Sequence, residues 1–362
     1  MTTITSATRF SGLAAGLAML AGLAGNAASA QETINVTAID GYPPRSMWVR
    51  EFVSYFIPEV DRRLAESGNY AINWNQAWGG QIVKPRGVLE GLEMGLGDIG
   101  VVTTPFHTDK VPLQAVAYVT PFVTTDPLLV ARTIDALADQ FPEIREAFAA
   151  HNQVYLTNAV VLDSYQLFSA PEVAGLDDLS GLKVNGAGTN LRYLDGMGST
   201  GVSGSLVTYY NNIQTGVADA ALIWPEAAVT FNLAEVAPHM LKADIGTVNS
   251  KAITVNSDFW EGLPEEVQNV LQEVAYDYRD HVAEVAAGAG SSSIEAYQAA
   301  GGTVTELPAD ARKAWALNMP NLAQEWAAEM DSKGLPGSAM LSAYMDALRE
   351  GGAAPERDWD RE

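Results

Sequence analysis

The chain has 362 residues, of which 48% are hydrophobic, and its 44 acidic and 21 basic side chains give a net charge of −23 at pH 7. A surface of this sign repels nucleic acid and anionic lipid, so neither is expected as a partner. The sequence contains no cysteine, which excludes thiol catalysis, thiolate metal sites and iron–sulfur clusters. The length exceeds that of one typical core and predicts two domains.

The first thirty residues have the pattern of a secretory signal peptide. Residues 13–23 are apolar or small, and Ala28, Ser29 and Ala30 form an A-x-A cleavage site. The apolar run is shorter than the roughly 20 residues that span a bilayer, although an N-terminal membrane anchor stays open as the alternative. We therefore expect residues 1–30 to direct export to the periplasm, with no direct insertion of the mature chain into a membrane.

The first part of the mature chain alternates strands with helices. Strands are predicted over 33–39, 70–74 and 98–102, because these segments are rich in branched and apolar residues. The apolar spacing predicts helices over 49–64 and 85–95, the first of them kinked or split by Pro58. This order is typical of an α/β unit with a parallel sheet.

The same pattern returns in the rest of the chain. Further strands are predicted over 154–161, 182–184, 220–224, 251–255 and 302–307, and further helices over about 188–197, 208–215, 309–332 and 338–349. A long helix begins after Pro264, although Gly288 and Gly290 weaken the prediction that it continues past residue 295.

These elements predict two α/β lobes connected by chain crossings. The first lobe is expected to comprise 31–153 plus about 240–280, and the second 154–239 plus about 281–350. The Gly-rich and charged tail over 351–362 is expected to be frayed. Ligands of such folds usually bind in the cleft at the carboxyl ends of strands.

Several aromatic and polar side chains follow the predicted strands. Rings in this place can form the walls of a binding site, although core packing is the more common role of any single ring. The candidates for the walls are Tyr42, Trp78, Phe106, Tyr165 and Trp224. The candidates for orienting hydrogen bonds are Asn158, Asn185 and Asn211, and Glu226 is the candidate partner for a cationic group.

Catalytic and cofactor patterns are weak or missing. Residues 196–201 match G-x-G-x-x-G, but a predicted helix precedes them where a dinucleotide motif needs a strand, so a helix C-cap and turn fits better. The four histidines lack zinc-ligand spacing, and neither G-x-S-x-G nor S-x-x-K occurs. We expect no cofactor and no enzymatic activity, whereas a cation held together with a ligand stays open.

Several local blocks resemble one family of solute receptors in their order and spacing. The blocks are Trp78-Gly79-Gly80, Val88-Leu89-Glu90-Gly91-Leu92, Gly97-Asp98-Ile99-Gly100, Pro112-Leu113 with Pro121-Phe122, Asp178-Leu179-Ser180-Gly181-Leu182-Lys183-Val184, and Tyr210 with Ile213-Gln214-Thr215-Gly216-Val217-Ala218-Asp219. Over about 33–335 the chain resembles the DctP-type (dicarboxylate-receptor) solute-binding receptors of tripartite ATP-independent periplasmic (TRAP) transporters.

The resemblance implies a two-lobe periplasmic-binding-protein fold of the α/β class, type II-like, with a mixed sheet in each lobe and a long helix bracing both lobes. Such a receptor closes on one small organic solute and delivers it to TRAP membrane permease subunits. The receptor of an ATP-driven importer, a secreted two-lobe enzyme and a sensory receptor domain stay open as alternatives.

One position departs from the family's pattern. The residue after Leu182-Lys183-Val184 is typically an arginine that clamps a carboxylate, but here it is Asn185. The family's Asp-Gly-x-x-Asn-Pro element is also altered, over 219–225. Either another arginine supplies the charge, with Arg45, Arg86 and Arg192 as candidates, or the cargo is neutral, zwitterionic or cationic. The solute therefore stays open between a carboxylate, a zwitterion and an aromatic compound.

Overall fold

The computed structural model describes residues 31–362, so the predicted signal peptide over 1–30 lies outside the described residues. The strands of this range are β1 Glu32–Ile39, β2 Tyr70–Ala77, β3 Ile99–Thr103, β4 Gln153–Ala159, β5 Gln166–Ser169, β6 Lys183–Gly186, β7 Thr200–Ser203, β8 Ala220–Ile223, β9 His239–Lys242, β10 Lys251–Asn256 and β11 Thr303–Glu306. The α-helices are α1 Met47–Glu51, α2 Ile57–Ser67, α3 Val88–Glu93, α4 Pro127–Gln140, α5 Glu143–Ala149, α6 Leu206–Gln214, α7 Pro225–Thr230, α8 Ser257–Glu261, α9 Glu265–Ala299, α10 Ala309–Asn318, α11 Leu322–Ser332 and α12 Gly337–Glu350.

The first sheet has five strands in the order β2-β1-β3-β10-β4. Strand β1 pairs in parallel with β2 and β3, whereas β10 runs antiparallel to β3 and β4. Because of this reversal, the beginning of β10 lies at the same edge as the ends of β1 and β3, and Lys251 stands opposite Thr103. This edge faces the second lobe.

The second sheet has six strands in the order β11-β9-β5-β8-β6-β7. Strand β5 runs antiparallel to β8 and β9, whereas β6 runs parallel to β7 and β8. Tyr165 precedes β5 and therefore lies beside Trp224, which follows β8. Both sheets are mixed, as the resemblance implied.

The chain crosses between the sheets after β4, after β9 and along α9. Strand β4 pairs with β10 in the first sheet, and β9 pairs with β5 in the second. The boundaries expected at residues 153/154 and about 240 therefore differ from the division of the strands between the sheets: the first separates most of β4 from its sheet, and the second cuts through β9. The physical reason is that β4 completes its pairing with β10, a strand almost a hundred residues later, which chain order does not reveal.

Helix α9 braces the two lobes. It packs on α4 and β4 in the first lobe and on α7 and β11 in the second. The helix continues through Gly290 because the close approach of Asp163 requires a residue without a side chain: a Cβ at Gly290 would lie 2.3 Å from Oδ2 of Asp163. Gly290 thus serves packing rather than helix termination, whereas Gly288 has no atom within 4 Å of an added Cβ and lies inside the helix without such a role.

Several predicted helices have different ends in the structure. A π-helical segment, Phe52–Phe56, joins α1 to α2, and Pro58 lies in the first turn of α2, where its missing N–H is tolerated. The predicted helix over 188–197 is a 3₁₀-helix, Gly188–Leu194, and the predicted helix over 309–332 is divided into α10 and α11. Proline 320 at the division has no N–H to continue the helix.

The C-terminal tail is packed rather than frayed. The Trp359 side chain is fully buried, and its Nε1 donates to the carbonyl of Pro121 at 2.7 Å. The Arg357 guanidinium donates to the carbonyls of Ala316 and Met319. These bonds replace the solvent contacts that a Gly-rich tail was expected to make.

Buried apolar residues of both lobes form one continuous core. In the part of the chain that the structure describes, no helix combines the length and the hydropathy needed to cross a membrane.

Candidate ligand-binding site

A small buried cavity of about 20 Å³, enough for about one water molecule while the lobes are this close together, lies between the two sheets. Its walls come from the edge of the first sheet and from the loops and helix α6 of the second lobe. The lining residues are Tyr42, Thr103, Pro105, Tyr118, Tyr165, Ala187, Asn190, Leu206, Tyr209, Leu222, Trp224, Ser250 and Lys251. Ligands of two-lobe α/β proteins bind in such a place, where strand ends of both lobes meet.

The cavity contains one cationic side chain, Lys251, which is 2% exposed. Its Nζ donates to Oγ1 of Thr103 at 2.9 Å and lies 4.0 Å from the ring centroid of Trp48 and 4.8 Å from that of Tyr42. Burial lowers the pKa of Lys251 from 10.5 to about 7, while the nearby Asp40 opposes that effect. An ammonium has three donors, and the protein provides a hydrogen-bond acceptor for one of them.

Asp40 lies behind Lys251 and does not line the cavity. Its Oδ1 accepts from the backbone N–H of Tyr42 and its Oδ2 from Nε1 of Trp48, both at 2.8 Å. Burial raises the pKa of the carboxyl from 3.8 to about 6, although Lys251 and these two hydrogen bonds act in the opposite direction. The carboxylate is therefore fixed by the protein and leaves the ammonium to the cavity.

Four tyrosines and a tryptophan supply most of the remaining surface. The hydroxyls of Tyr118 and Tyr165 lie 3.3 Å apart, and the rings of Tyr165 and Trp224 meet edge to face at 6.0 Å. Burial raises the pKa of Tyr165 to about 12 and that of Tyr118 and Tyr209 further, so these phenols stay neutral. The result is a wall of neutral rings with hydroxyl groups.

Two buried polar atoms of the lining form no well-aligned hydrogen bond within the protein, although the amide of Asn190 lies close enough to Tyr165 to offset part of the rise that burial causes in the pKa of that hydroxyl. They are Nδ2 of Asn190, from the second lobe, and Oγ of Ser250, from the first. Oδ1 of Asn190 accepts from the backbone N–H of Ala187 at 2.8 Å, which fixes the amide and directs its donor group elsewhere. A buried donor without a partner is costly, so these groups indicate a missing ligand or bridging water.

Three of the sequence-predicted residues line the cavity, namely Tyr42, Tyr165 and Trp224. Trp78 instead packs edge to face on Phe52 at 5.6 Å, inside the first lobe. Phe106 is half-buried beneath the guanidinium of Arg86 at 4.2 Å. These two rings are thus core and rim elements in this structure, and their role as ligand contacts stays a prediction.

The predicted amides lie away from the cavity. Asn158 is buried in the first sheet, where Nδ2 donates to the carbonyl of Ala131 and to Oδ1 of Asp135. Asn211 is exposed on α6. Each amide is placed by the strand or helix that carries it, and the sequence position alone did not show to which side it points.

Asn185, in the position of the expected arginine, is fully buried within the second sheet. Its Nδ2 donates to the carbonyl of Ala220 at 3.3 Å, and its Oδ1 accepts from Nδ2 of Asn212 at 2.8 Å. The amide therefore has partners of its own and is absent from the cavity lining.

Glu226 also lies outside the cavity lining. Its carboxylate accepts from Nε1 of Trp224 at 3.3 Å and from Oγ1 of Thr230 at 2.9 Å, and it lies 3.9 Å from the guanidinium of Arg50. Burial raises the pKa of this carboxyl. Its partners are thus protein groups at the back of the cavity wall.

The three candidate arginines also lie outside the cavity. Arg86 bridges the lobes at the rim, where Nη2 donates to Oγ of Ser203 at 3.0 Å. Arg45 is exposed, with its guanidinium 5.0 Å from the ring of Phe231. Neither residue reaches the lining.

Arg192 lines a different and larger groove of about 230 Å³ beside α11. Its guanidinium is already paired with Asp195 at 3.0 Å and with Glu325 at 2.8 Å. The groove therefore offers no unpaired charge of this residue to a ligand, and the buried cavity is the better candidate site.

Sequence reasoning missed Lys251, Ser250, Tyr118 and Tyr209. For Lys251 a signal was present, because a single charged residue begins the otherwise uncharged strand 251–255. The sequence-based candidates follow strands, whereas Lys251 begins an antiparallel strand that brings it to the same edge. In residues 31–362, no three His, Asp or Glu side chains are grouped in a way that could hold a metal ion.

Two curated relatives match parts of the chain. The C4-dicarboxylate-binding periplasmic protein DctP of Rhodobacter capsulatus is 32% identical over 107 residues, which are 29% of this chain and 32% of that protein. The ectoine-binding periplasmic protein TeaA of Halomonas elongata is 29% identical over 145 residues, which are 39% of this chain and 40% of that protein. The matched segments thus span well under two thirds of either relative.

The fold itself is similar to that of solved receptors. A TRAP solute-binding protein from Rhodoferax ferrireducens, solved with copurified benzoate, superposes with a TM-score of 0.79 at 16% identity and covers 88% of this chain and 98% of its own. The model of one family, described as bacterial extracellular solute-binding protein, family 7, or DctP, matches residues 61–329. Since this match covers more than half of the chain, the protein belongs to the DctP family of bacterial extracellular solute-binding proteins.

Proposed function

We propose that this protein is the extracytoplasmic receptor of a TRAP transporter and captures one small organic solute in the cavity between its lobes. The observation that carries the proposal is the cavity itself, which has incompletely paired buried polar groups on both lobes: Ser250 and Lys251 on the first, where Lys251 has one partner, Thr103, and Asn190 on the second. A solute that satisfies donors of both lobes favours the closed arrangement of those lobes.

The family and the structural neighbours support a binding role without chemistry. In this proposal the first lobe is built on β1–β4 and β10, and the second on β5–β9 and β11. Residues 1–30 direct export, and the loaded receptor delivers its solute to TRAP permease subunits in the membrane. The side chains that contact the solute include Tyr42, Tyr165 and Trp224.

A thermal-shift screen of the chain from residue 31 onward tests this proposal. The panel contains monocarboxylates, dicarboxylates, aromatic acids, zwitterions, polyols and amines, after removal of copurified solute by unfolding and refolding. A solute at 100 times its dissociation constant stabilises the folded chain by about 2.7 kcal/mol. Calorimetry on the positive compounds then gives affinity and stoichiometry, with one site expected per chain.

Two asparagine variants serve as a matched pair in that screen. Asn190→Ala removes a donor that faces the cavity, and we expect about tenfold weaker binding. Asn211→Ala removes an amide that is exposed on α6, and we expect unchanged affinity. The receptor proposal fails if no class of compound stabilises the protein, or if a stabilising compound is chemically converted by it.

A further inference from the structure

We propose that Lys251 replaces the arginine expected at position 185 as the residue that selects the charge of the solute, and that it selects a solute with a single anionic group. This inference rests on the proposed receptor function and adds to it the charge of the cargo and the residue responsible. It follows from the charges and hydrogen-bonding groups of the side chains that face the cavity.

The charged side chains that line the cavity are of one sign. Among the thirteen lining residues there is one cation, Lys251, and there is no aspartate or glutamate. A cationic solute would therefore meet an ammonium and no carboxylate. Glu226, the acid expected to hold a cationic group, is bonded to Trp224 and Thr230 behind the wall. The site thus disfavours cations and zwitterions.

The incompletely paired polar groups that face the cavity can all donate hydrogen bonds. Nζ of Lys251 has two donors beyond the one that Thr103 accepts, and Asn190 presents an unpaired Nδ2 donor. Ser250 adds an unpaired hydroxyl. A carboxylate offers about four lone-pair sites, so one such group can accept from all three side chains.

The lining supplies a counter-ion for only one negative charge of the solute. The cavity beyond Lys251 is lined by the rings of Tyr118, Tyr165, Tyr209 and Trp224 and by two leucines, with no second cation. A second carboxylate would lose its water there without a counter-ion, at a large cost. The nearest guanidinium of the rim, that of Arg86, is exposed and stacked on Phe106. We therefore expect a monoanion with an apolar or planar body.

Lys251 and the amide that faces it come from different lobes. Lys251 begins the antiparallel strand β10, so its side chain comes from the first lobe, whereas an arginine at 185 would come from the second. Asn190 on the second lobe then acts as the opposing donor. The anionic group is held from both lobes, which links charge recognition to closure.

Burial of the ammonium gives an independent signature. The pKa of Lys251 in the empty cavity is lowered to about 7, and an anion beside it favours the protonated form. The titratable groups that face Lys251 are Asp40, which is fixed by Trp48 and the Tyr42 backbone, and the neutral phenol of Tyr42. Binding of an anion at pH 8 is therefore accompanied by uptake of about one proton.

The experiment compares each acid with its uncharged amide on the refolded receptor. The probes are benzoate with benzamide, mandelate with mandelamide and pyroglutamate with pyroglutamamide, and succinate represents the dianions. We expect at least one monoacid to bind, its amide to bind about 100-fold more weakly and succinate to bind no better than the amide. For the acid that binds, calorimetry at pH 8 in buffers of different ionisation enthalpy measures the proton uptake.

Variants then assign the charge to one residue. Lys251→Met keeps the length of the side chain and removes the ammonium, and we expect it to weaken acid binding about 100-fold while amide binding changes little. Lys183→Met is the control, because this strand lysine pairs with Asp219 on the second lobe, away from the cavity. Asn190→Asp keeps the bond to Ala187 and reverses the polarity of the facing group, so it too weakens the acid and spares the amide.

The outcomes separate this inference from the receptor proposal. If an amide, amine, zwitterion or dianion binds as well as every monoacid, or if Lys251→Met binds the acid as the unchanged protein does, the lysine assignment is overturned and the receptor function stands. If Lys251→Met does not fold, the test rests on two other measurements: the acid affinity of Asn190→Asp and the proton uptake at pH 8. If the acid binds Asn190→Asp as tightly as the unchanged protein and no proton is taken up, the inference is overturned. If nothing in either panel binds, both proposals fall.

Discussion

Two buried clusters of the first lobe differ in how completely their central charged group is paired, although Oδ1 of Asn158 beside Asp135 has no partner either. Around Asp135, the carboxylate accepts from the hydroxyl of Tyr155 at 2.8 Å, from Nδ2 of Asn158 at 2.9 Å and from Nη1 of Arg279 at 2.8 Å. Around Lys251, by contrast, the ammonium has one hydrogen-bond acceptor in the protein. Both clusters lie beside strands of the same sheet.

The difference shows how a buried charge can be assigned a role. The Asp135 cluster connects helix α4, strand β4 and helix α9, so its bonds hold elements of the fold together. The Lys251 cluster holds its carboxylate, Asp40, in place but leaves donors directed at an empty cavity. A satisfied network makes the fold rigid, whereas spare donors next to a cavity prepare a site for an external partner.

The largest effect is expected from breaking the cluster around Asp135. Asp135→Ala leaves Nη1 of Arg279 and several buried donors without their acceptor, although Nε of Arg279 keeps its bond to Asp280, and we expect the free energy of unfolding to fall by about 3–5 kcal/mol. Urea unfolding of the solute-free protein measures this loss. Asp139→Ala is the control on the same helix, because its side chain is 70% exposed, and we expect less than about 0.5 kcal/mol there. A loss below about 1 kcal/mol for Asp135→Ala would contradict the comparison.

The cluster of Lys251 and Asp40 should instead change how the free energy of unfolding depends on pH. The pKa of Asp40 is about 6 in the folded chain and 3.8 in its ordinary range. Between these pH values the folded chain holds a proton that the unfolded chain has released, so the contribution of Asp40 to the free energy of unfolding falls as the pH rises from about 4 to about 6. The fall amounts to about 2–3 kcal/mol.

Asp40→Asn removes this titration. We expect the difference in unfolding free energy between the unchanged protein and the variant to shift by that amount in favour of the variant from pH 4 to pH 7, as measured by urea unfolding at several pH values. Carboxyl groups that both proteins share cancel in the difference. A difference that stays constant with pH would show that Asp40 titrates in its ordinary range.

A smaller effect is expected where the lobes touch. Gly188 has a φ of +62°, and a Cβ there would lie 2.1 Å from the carbonyl oxygen of Pro105 in the first lobe. Gly188→Ala should hold the lobes apart and weaken the strongest solute of the screen about tenfold, or about 1.4 kcal/mol, in a calorimetric titration. Gly181→Ala is the matched control: its φ is +82°, but no atom lies within 4 Å of the added Cβ.

Both alanines carry the backbone strain of a positive φ, which costs about 1 kcal/mol of stability. We therefore expect the two variants to unfold at similar denaturant concentrations and to differ in affinity. Equal affinities would mean that the Gly188 contact does not limit closure.

The smallest effect is expected at the rim. Arg86→Ala removes the exposed bond to Ser203 and the stacking of the exposed guanidinium on the half-buried ring of Phe106. We expect a two- to fivefold faster dissociation of the solute in stopped-flow measurements, or about 0.5–1 kcal/mol. Lys84→Ala, two residues earlier and bonded to Gly80 within the same lobe, should leave the rate unchanged. If Arg86→Ala and Lys84→Ala release the solute at the same rate, the contact of Arg86 with Ser203 does not slow the opening of the lobes.

The sequence predicted the long, periodic elements well. The first strand, the buried strand β3 and helix α9 were confirmed, because their apolar spacing reflects burial directly. Strands β5, β7 and β9 were missed, whereas β6, β8 and β11, which are equally short, were predicted, so length alone does not explain the difference. Helices α4 and α5 were also not identified, although Asp126 and Pro127 begin α4 with a cap and a proline.

The site was harder to predict than the fold, for a topological reason. Tyr42 and Trp224 follow strands and line the cavity, as the rule about carboxyl ends predicts. Lys251 precedes its strand, and its position opposite Thr103 depends on β10 being antiparallel, which the sequence does not show. Tyr118 lies in an irregular segment after a 3₁₀-helix, where no pattern indicates the direction of a side chain.

The paired amides of Asn185 and Asn212 limit how this receptor could change its specificity. An arginine at position 185 would place a guanidinium where an amide already fills a closed sheet and would break the bonds of Asn185 to Asn212 and Ala220. Position 185 belongs to the second sheet, whereas the proposed charge-selecting Lys251 belongs to the first. A single Asn185→Arg substitution would therefore disturb the second sheet before it changed the specificity, and the neighbours of Asn185 would have to change with it.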